Sequence, residues 1–163
     1  MISARSEKED FDAARKFAID GQLAGVLLAD IKHEPKVYTS IWSRLYLSVM
    51  NFLIDVVYKG AAGAYDEANQ NMLSALYQTC CPDGEINFFA VDPNIKGKGI
   101  GTLLLNELEK MKRGKYVYLF TDSGSAYQFY LRRGFAESGK TDVTLEINKE
   151  KVPLTCFLYT KKL

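Results

Sequence analysis

Apolar positions recur with two different periods along the chain, and each period predicts a different kind of element. Short runs rich in β-branched and aromatic residues predict strands at 15–19, 23–31, 86–91, 116–121, 141–147 and 153–160. Apolar residues spaced by three or four predict helices at 41–58, 66–77 and 100–111. Asp20-Gly21 separates the first two strands and is typical of a hairpin turn.

The run 41–58 is apolar enough to raise the question of a membrane span. Its polar residues fall on one helical stripe, which comprises Arg44, Ser48, Asn51, Asp55 and Lys59. Charges on that stripe would be costly in a bilayer, and the run is at the short limit for crossing one. We therefore favour an amphipathic helix packed on the protein, with a membrane-surface helix as the alternative. The following segment, 60–64, is expected to be a flexible break.

The stretch after strand 86–91 predicts a site for an anion. Gly97, Gly99 and Gly101 occupy every second position before a helix, and Lys96 and Lys98 lie between them. The first N–H groups of a helix lack internal partners, and the helix dipole adds about half a positive charge there. A Walker A loop is excluded because no lysine precedes Thr102, and a dinucleotide fingerprint would need glycine at that position. A basic turn before an ordinary helix remains the alternative.

Two motifs resemble those of the GNAT superfamily of N-acetyltransferases. Residues 96–101, Lys-Gly-Lys-Gly-Ile-Gly, resemble the family's (Gln/Arg)-x-x-Gly-x-(Gly/Ala) acetyl-CoA motif, with lysine at a position where arginine or glutamine is usual. Residues 126–135 resemble its Ala-x-x-Phe-Tyr-x-x-x-Gly-Phe motif. The resemblance covers 84–136, is weaker at 15–31 and is absent from 35–83. It implies an α/β fold with a mixed, splayed sheet flanked by helices, here with a helical insertion (35–83) before the central strand.

The resemblance also implies a coenzyme site and two catalytic residues. The main chain of the central strand would pair with pantetheine amides, and the loop and helix start would hold the diphosphate. Glu85 would be the general base and Tyr130 the general acid, while Tyr127 would line the coenzyme channel. Ser123 or Ser125 could cap the helix that carries Tyr130 and could also touch pantetheine or the acceptor. The expected coenzyme-binding residues are therefore Phe89, Ala90, Val91, Lys96, Gly97, Lys98, Gly99, Ile100, Gly101, Thr102, Ser123, Ser125, Tyr127 and Tyr130.

Each catalytic assignment has an ordinary structural alternative. Glu85 could be a solvated carboxylate at a strand start, and Tyr130 could be a core aromatic residue. The paired motif favours the catalytic reading of Tyr130, and both readings of Glu85 stay open. The expected reaction needs two proton transfers, because an amine with a pKa of about 10.4 must lose a proton before it attacks a thioester. The departing thiolate, with a reference pKa of about 8.5, leaves more easily when it is protonated.

Composition narrows the class of protein further. The 163 residues are 47% hydrophobic and 25% charged, as expected of one domain spanning 1–163 with a sizeable core. A net charge of +1 provides no field that would recruit nucleic acid or an anionic membrane. Three cysteines, two of them adjacent, indicate a reducing cytoplasm, and the start of the chain lacks the apolar core of a signal peptide. A single histidine excludes a histidine-rich metal site, and we expect no metal.

These observations lead to one expected function and one alternative. We expect direct transfer of acetyl from acetyl-CoA to a primary amine of a small molecule or peptide, without a covalent enzyme intermediate. A non-catalytic acyl-CoA sensor or interaction module is the alternative. The segment 35–83 would either shape the acceptor groove or only cover the sheet. The choice between monomer and homodimer stays open.

Overall fold

The computed structural model describes residues 14–19, 22–34, 62–95, 98–147 and 150–163. Contacts divide the chain into two compact units, one within residues 1–37, 83–117 and 162–163 and the other within 38–82 and 118–161. One 3₁₀ turn, Pro93–Ile95, follows β3. In chain order the strands and helices are β1 (Ala14–Ile19), β2 (Gln22–Ile31), α1 (Ala62–Thr79), β3 (Gly84–Val91), α2 (Ile100–Met111), β4 (Tyr116–Asp122), α3 (Tyr127–Arg132), β5 (Ala136–Ile147) and β6 (Glu150–Lys162).

The first unit is built on three antiparallel strands. β1 and β2 pair from Ile19 and Gln22 outwards, which confirms the predicted hairpin, and β2 pairs with β3. Helix α2 packs on β2 because its apolar stripe matches the buried face of that strand. The buried residues of this unit are Ala24, Leu27, Ala29, Ile31, Ile86, Ile100, Leu104, Leu105, Leu108 and Val117.

The starts of β3 and β4 meet in the first unit. The N–H of Asp83 donates to the carbonyl of Tyr116 (2.6 Å), and the N–H of Tyr116 donates to Oδ2 of Asp83 (2.8 Å). The hydrogen bond from Tyr116, assisted by Lys115, lowers the pKa of the Asp83 carboxyl. Two strands that leave the same point side by side run parallel, whereas the pairs described above run antiparallel. The sheet is therefore mixed, as the resemblance implied.

The second unit has two layers of side chains on β6. β5 and β6 are antiparallel, and β6 also borders β4, where Ser123 N–H donates to the Thr155 carbonyl (2.9 Å). Successive residues of a strand face opposite sides. Cys156 and Leu158 pack in a core with Met72 and Leu76 of α1. Phe157 and Tyr159 lie on the other layer, where Phe157 stacks against Tyr127 of α3. Helices flank the strands, and this confirms the predicted α/β class.

Several predicted boundaries and faces were wrong. Helix α1 begins at Ala62, inside the expected flexible break, because alanine is the best helix former and outweighs the single Gly63. The apolar spacing that predicts the helix at 66–77 includes Tyr77 on its buried side, but Tyr77 is 39% exposed. The spacing that predicts the helix at 100–111 likewise includes Leu103, but Leu103 is 45% exposed and Leu105 is buried. Helix α2 packs closely on β2 at Gly25. This contact, and not the spacing of apolar residues alone, decides which residues of α2 are buried.

The register between β2 and the central strand, β3, shifts part-way along the pair. Leu28 pairs with Phe88 and the next residue, Ala29, pairs with Ile86, so Asn87 is left between them. This irregularity breaks the simple alternation of faces: Phe88 is 51% exposed although Ile86 is buried.

Some expectations lie outside the described residues. These are the amphipathic helix at 41–58 and the loop positions Lys96 and Gly97. Helix α1 is the described part of the predicted insertion 35–83. Among the described helices, none has the length and apolar character needed to span a membrane. The expectation of one domain over 1–163 stays a prediction.

Candidate active site

The predicted site residues fall into two groups, one in each unit. The first group begins where β3 ends. Asp92 N–H donates to the carbonyl of Ala24 (2.9 Å), which ties the end of β3 to β2. The Asp92 side chain then accepts a hydrogen bond from the N–H of Asn94 (2.8 Å) and shapes the 3₁₀ turn. The chain is thus directed by local hydrogen bonds away from the strand and towards the start of α2.

Helix α2 starts at a glycine in the left-handed region. Gly99 has φ 72° and ψ 14°, and no side chain caps the helix there. The first helical hydrogen bond runs from Leu103 N–H to the Gly99 carbonyl (3.0 Å). A β-carbon on Gly99 would have no described atom within 4 Å, so the space in front of this glycine is open. Exposed Lys98 precedes it and adds positive charge to the positive end of the helix dipole. An anion could therefore approach the main chain here.

A glycine that the sequence analysis did not single out positions the start of α2. A β-carbon on Gly25 of β2 would lie 3.0 Å from Leu104 Cδ1, 3.1 Å from Ile100 Cγ2 and 3.2 Å from the Ala90 carbonyl oxygen. The helix therefore approaches β2 at a position where any larger side chain would push it away. The available sequence signal was an isolated glycine within a predicted strand, which often marks close approach by another segment.

The expected pantetheine-binding segment lies at the end of β3. Phe89, Ala90 and Val91 pair with Leu27, Val26 and Gly25 of β2. Phe89 and Val91 are half-buried and Ala90 is exposed. Glu85 lies at the other end of the same strand, half-buried and opposite Asp30 in the register. Ile100, Gly101 and Thr102 form the first turn of α2, with Ile100 buried. The roles of all these residues stay predictions.

The second group is organised around α3. Gly134 adopts the left-handed conformation (φ 79°) that was expected of a helix terminator. Its N–H donates to the Leu131 carbonyl (3.1 Å), and the Phe135 N–H donates to the Tyr130 carbonyl (3.1 Å). These bonds follow Arg132, the last residue of α3, and hold Phe135 close to Tyr130. The ring of Tyr130 lies edge-to-face with Phe129 (centroids 5.5 Å apart) and Phe135 (5.7 Å).

Burial in this aromatic surrounding affects the Tyr130 hydroxyl. Tyr130 is half-buried, and the loss of solvent around the phenol raises its pKa above the ordinary value of 10.0. The hydroxyl therefore stays protonated at neutral pH and can act as a proton donor. Tyr127, three residues earlier on α3, stacks on Phe157 with centroids 5.0 Å apart. Its hydroxyl accepts a hydrogen bond from Gln128 Nε2 (3.2 Å).

The two serines before α3 are not its cap. The N-cap is Ala126, which has no side-chain hydrogen bond to offer. Ser123 Oγ accepts the Thr155 N–H (3.0 Å), and Ser125 Oγ lies 2.7 Å from Thr121 Oγ1 and donates to the Asp122 carbonyl (2.8 Å). Both hydroxyls are used to fix the turn between β4 and α3, and this explains why neither reaches the helix start. Their expected contact with pantetheine or acceptor stays a prediction.

A polar pair at the end of β4 was missed by the sequence analysis. Tyr65 of α1 donates from its hydroxyl to Asp122 Oδ2 (3.4 Å). Burial, together with the Asp122 carboxylate, raises the pKa of Tyr65 to about 12. No local pattern links residues 57 positions apart, and Tyr65 lay at the margin of the predicted helix. Within the described part of the chain, no group of three or more histidine, cysteine or acidic residues could hold a metal ion.

Comparison with known proteins gives a family match and several similar folds. The family model described as an acetyltransferase (GNAT) domain matches residues 55–137. This match spans both motifs quoted above, together with α1, β3, α2, β4 and α3.

Solved structures with similar folds share little sequence with this chain. An acetyltransferase of the GNAT family from Streptococcus pneumoniae aligns with a TM-score of 0.51 at 12% identity, over 94% of this chain and 68% of that one. Arabidopsis thaliana Naa50 in complex with the bisubstrate analogue CoA-Ac-MVNAL aligns with a TM-score of 0.49 at 15% identity, covering 92% and 72%. Ribosomal-protein-alanine N-acetyltransferase from Brucella melitensis gives 0.48 at 17% identity, covering 92% and 68%. At 12% identity, the Streptococcus pneumoniae structure supports the similarity of the fold and does not inform on the function.

Proposed function

The chain belongs to the GNAT family of acetyltransferases, and from this membership we propose that it transfers an acetyl group from acetyl-CoA to a primary amine. The acceptor would be an amine of a small molecule or of a peptide, and it would attack the thioester directly. No covalent enzyme intermediate is needed, because a neutral amine is already a competent nucleophile. The same proposal includes a cytoplasmic location and no nucleic-acid partner, and both rest on the sequence alone. The choice between monomer and homodimer stays open.

The observation that carries the proposal is the start of α2. Gly99 holds a left-handed conformation, has open space in front of it and leaves the helix without a side-chain cap. Main-chain N–H groups at such a helix start suit phosphate oxygens, because they combine hydrogen bonding with the positive end of the dipole. The segment follows β3 at the position of the family's acetyl-CoA motif.

These residues fit the coenzyme that the family implies. Lys96, Gly97, Lys98, Gly99, Ile100, Gly101 and Thr102 would hold its diphosphate, and the main chain of Phe89, Ala90 and Val91 would pair with its amides. When bound, acetyl-CoA supplies the acetyl thioester, which is the activated form of the transferred group. Tyr127, Ser123 and Ser125 are the remaining candidates for contact with it.

Two side chains are proposed to move the protons. Glu85 would take a proton from the ammonium form of the acceptor, directly or through a water molecule. Tyr130 would give its phenolic proton to the departing sulfur. Burial raises the pKa of Tyr130 above its ordinary value of 10.0, so the phenol carries its proton at neutral pH, as a general acid must.

Two measurements in sequence test the proposal against the acyl-CoA sensor. The first is calorimetric titration with acetyl-CoA, and the second is release of the coenzyme thiol in the presence of a panel of amines. The panel contains lysine-like small amines, polyamines and peptides with free amino termini. We expect binding together with amine-dependent thiol release. Binding without release under any acceptor would favour the sensor, and no binding would remove both functions.

A further inference from the structure

The ring of Tyr130 contacts a residue of the sheet as well as residues of its own chain segment. The ring of Tyr159, on β6, lies 6.4 Å from the Tyr130 ring, measured between centroids, at an angle of 62°. Tyr159 is 0% exposed, whereas Phe129 and Phe135 belong to the same short chain segment as Tyr130. Tyr159 therefore provides a contact between the sheet and the Tyr130 ring.

The ring of Tyr159 is itself held in place. It stacks on Phe157 with centroids 5.6 Å apart and an interplanar angle of 22°, and Phe157 stacks in turn on Tyr127. Helix α3 has only six residues, and a helix of that length has little stability of its own. The orientation of Tyr130 therefore depends on the side chains against which its ring packs.

The Tyr159 hydroxyl does not explain why this side chain is here. Among the described residues it has no hydrogen-bond partner although it is fully buried. A buried hydroxyl without a partner is destabilising, and a phenylalanine would fill the same space without that cost. Burial raises the pKa of Tyr159, with Glu137 and Tyr127 as the charged or ionisable groups that act on it. The contact with Tyr130 is therefore made by the ring.

We propose that Tyr159 is a positioning residue: its ring holds the ring of Tyr130 in the orientation needed for proton donation, and its hydroxyl takes no part. This inference rests on the proposed role of Tyr130 as general acid. It predicts that the aromatic ring at position 159 is required and that the oxygen is dispensable.

The test compares Tyr159→Phe, Tyr159→Leu and Tyr159→Met with the unchanged chain. The leucine and methionine variants should lower kcat about tenfold or more, because small misplacements of a reacting group are costly, while KM for acetyl-CoA stays within about twofold. Tyr159→Phe should keep the kcat of the unchanged chain and should have a higher melting temperature. The matched control is Leu158→Ala, on the same strand and equally buried but packed on the opposite layer with Met72. It should lose stability and keep kcat.

A readout independent of activity follows the Tyr130 phenol itself. The ¹³Cζ resonance of Tyr130 is identified as the signal that disappears in Tyr130→Phe. Its chemical shift is then measured as a function of pH in each variant. Removal of the Tyr159 ring should admit water and lower the pKa of Tyr130 towards 10.0, the ordinary value from which burial raises it. Tyr159→Phe and Leu158→Ala should leave that pKa raised.

Different results would overturn different claims. Full kcat and an unchanged Tyr130 titration in Tyr159→Leu or Tyr159→Met would remove the positioning role. A folded Tyr159→Phe with low kcat would show that the hydroxyl acts, and an equal loss of kcat in Leu158→Ala would reduce the effect to general disorder of β6. Full kcat in Tyr130→Phe would instead remove the general-acid role on which this inference rests.

Discussion

Gly25 and Ile100 approach each other so closely that a β-carbon on the glycine would lie 3.1 Å from Cγ2 of the isoleucine. Ile100 is the first residue of α2, and 4% of it is exposed. This contact places the start of the proposed coenzyme-binding helix against β2. The same position is closed by the Ala90 carbonyl oxygen at 3.2 Å, which cannot move like a flexible side chain.

Substitution Gly25→Ala should therefore displace the start of α2. We expect it to lower the free energy of unfolding by about 1–3 kcal/mol through overpacking and to weaken acetyl-CoA binding. Gly63→Ala on α1 is the control, because a β-carbon there meets no described atom within 4 Å. It should stabilise the helix by up to about 1 kcal/mol and leave binding unchanged. Denaturant unfolding and calorimetry measure both effects, and unaltered binding in Gly25→Ala would disprove the positioning role of this contact.

Substitution Tyr130→Phe keeps the aromatic ring and removes the hydroxyl that is proposed to donate a proton to the departing sulfur. Turnover should fall about 100-fold, near the lower end for general acid catalysis, because a thiolate is a moderately good leaving group even without a proton. The Kd for acetyl-CoA should change less than about threefold. Tyr77→Phe, at an exposed position of α1, should leave both quantities unchanged. The outcome that contradicts the assignment is full turnover of Tyr130→Phe across the pH range.

Lys98 should contribute to coenzyme affinity through its charge. Lys98→Ala should weaken acetyl-CoA binding several-fold in dilute buffer and by less in high salt, since salt screens exposed charges. Lys110→Ala is the control, because Lys110 lies at the far end of α2 and is paired with Glu107. Calorimetric titrations at two salt concentrations provide the measurement. Equal affinity losses in the two variants would mean that overall charge, and not the start of α2, attracts the coenzyme.

The half-buried Tyr65 should make the fold sensitive to alkali. Its pKa of about 12 in the folded chain lies above the ordinary 10.0, so the folded state binds the phenolic proton more tightly than the unfolded state. The associated stability is fully present below pH 10 and is lost as the pH rises to about 12. Tyr65→Phe should flatten the decline of unfolding free energy over this window. An unchanged alkaline decline in the variant would show that other groups cause it.

Local patterns were sufficient for the strands, the β1–β2 hairpin and the C-terminal end of α3. The pairing of β1 with β2 and the left-handed Gly134 each follow from the few residues around them, whereas the serine cap expected at the start of α3 was wrong. The glycine and lysine pattern before α2 identified the candidate coenzyme site for the same reason. The proposed roles of Tyr130 and Glu85 came from the resemblance to a family, because the spacing of apolar residues carries no information about catalysis.

Contacts between distant segments could not be read from the sequence. Tyr65 meets Asp122, Gly25 meets Ile100, and Tyr159 meets Tyr130, each pair joining residues far apart in the chain. The exposed faces of Tyr77 and Leu103 were mistaken for buried ones because tertiary packing, and not the hydrophobic period alone, decides which side of a helix is covered. Two of these contacts, Gly25 with Ile100 and Tyr159 with Tyr130, are the ones proposed to position the binding and catalytic groups.

The most direct test of the account compares two glycines that share a conformation but not a role. Gly99 and Gly114 both have positive φ, 72° and 84°, and a β-carbon on either would meet no described atom within 4 Å. Alanine at either position should cost about 1–2 kcal/mol of backbone strain. Only Gly99 precedes the proposed phosphate-binding turn. In calorimetric titrations with acetyl-CoA, Gly114→Ala should bind like the unchanged chain, whereas Gly99→Ala should bind at least tenfold more weakly. Equal binding by all three proteins, or no binding by the unchanged chain, would contradict the claim that the start of α2 holds the coenzyme.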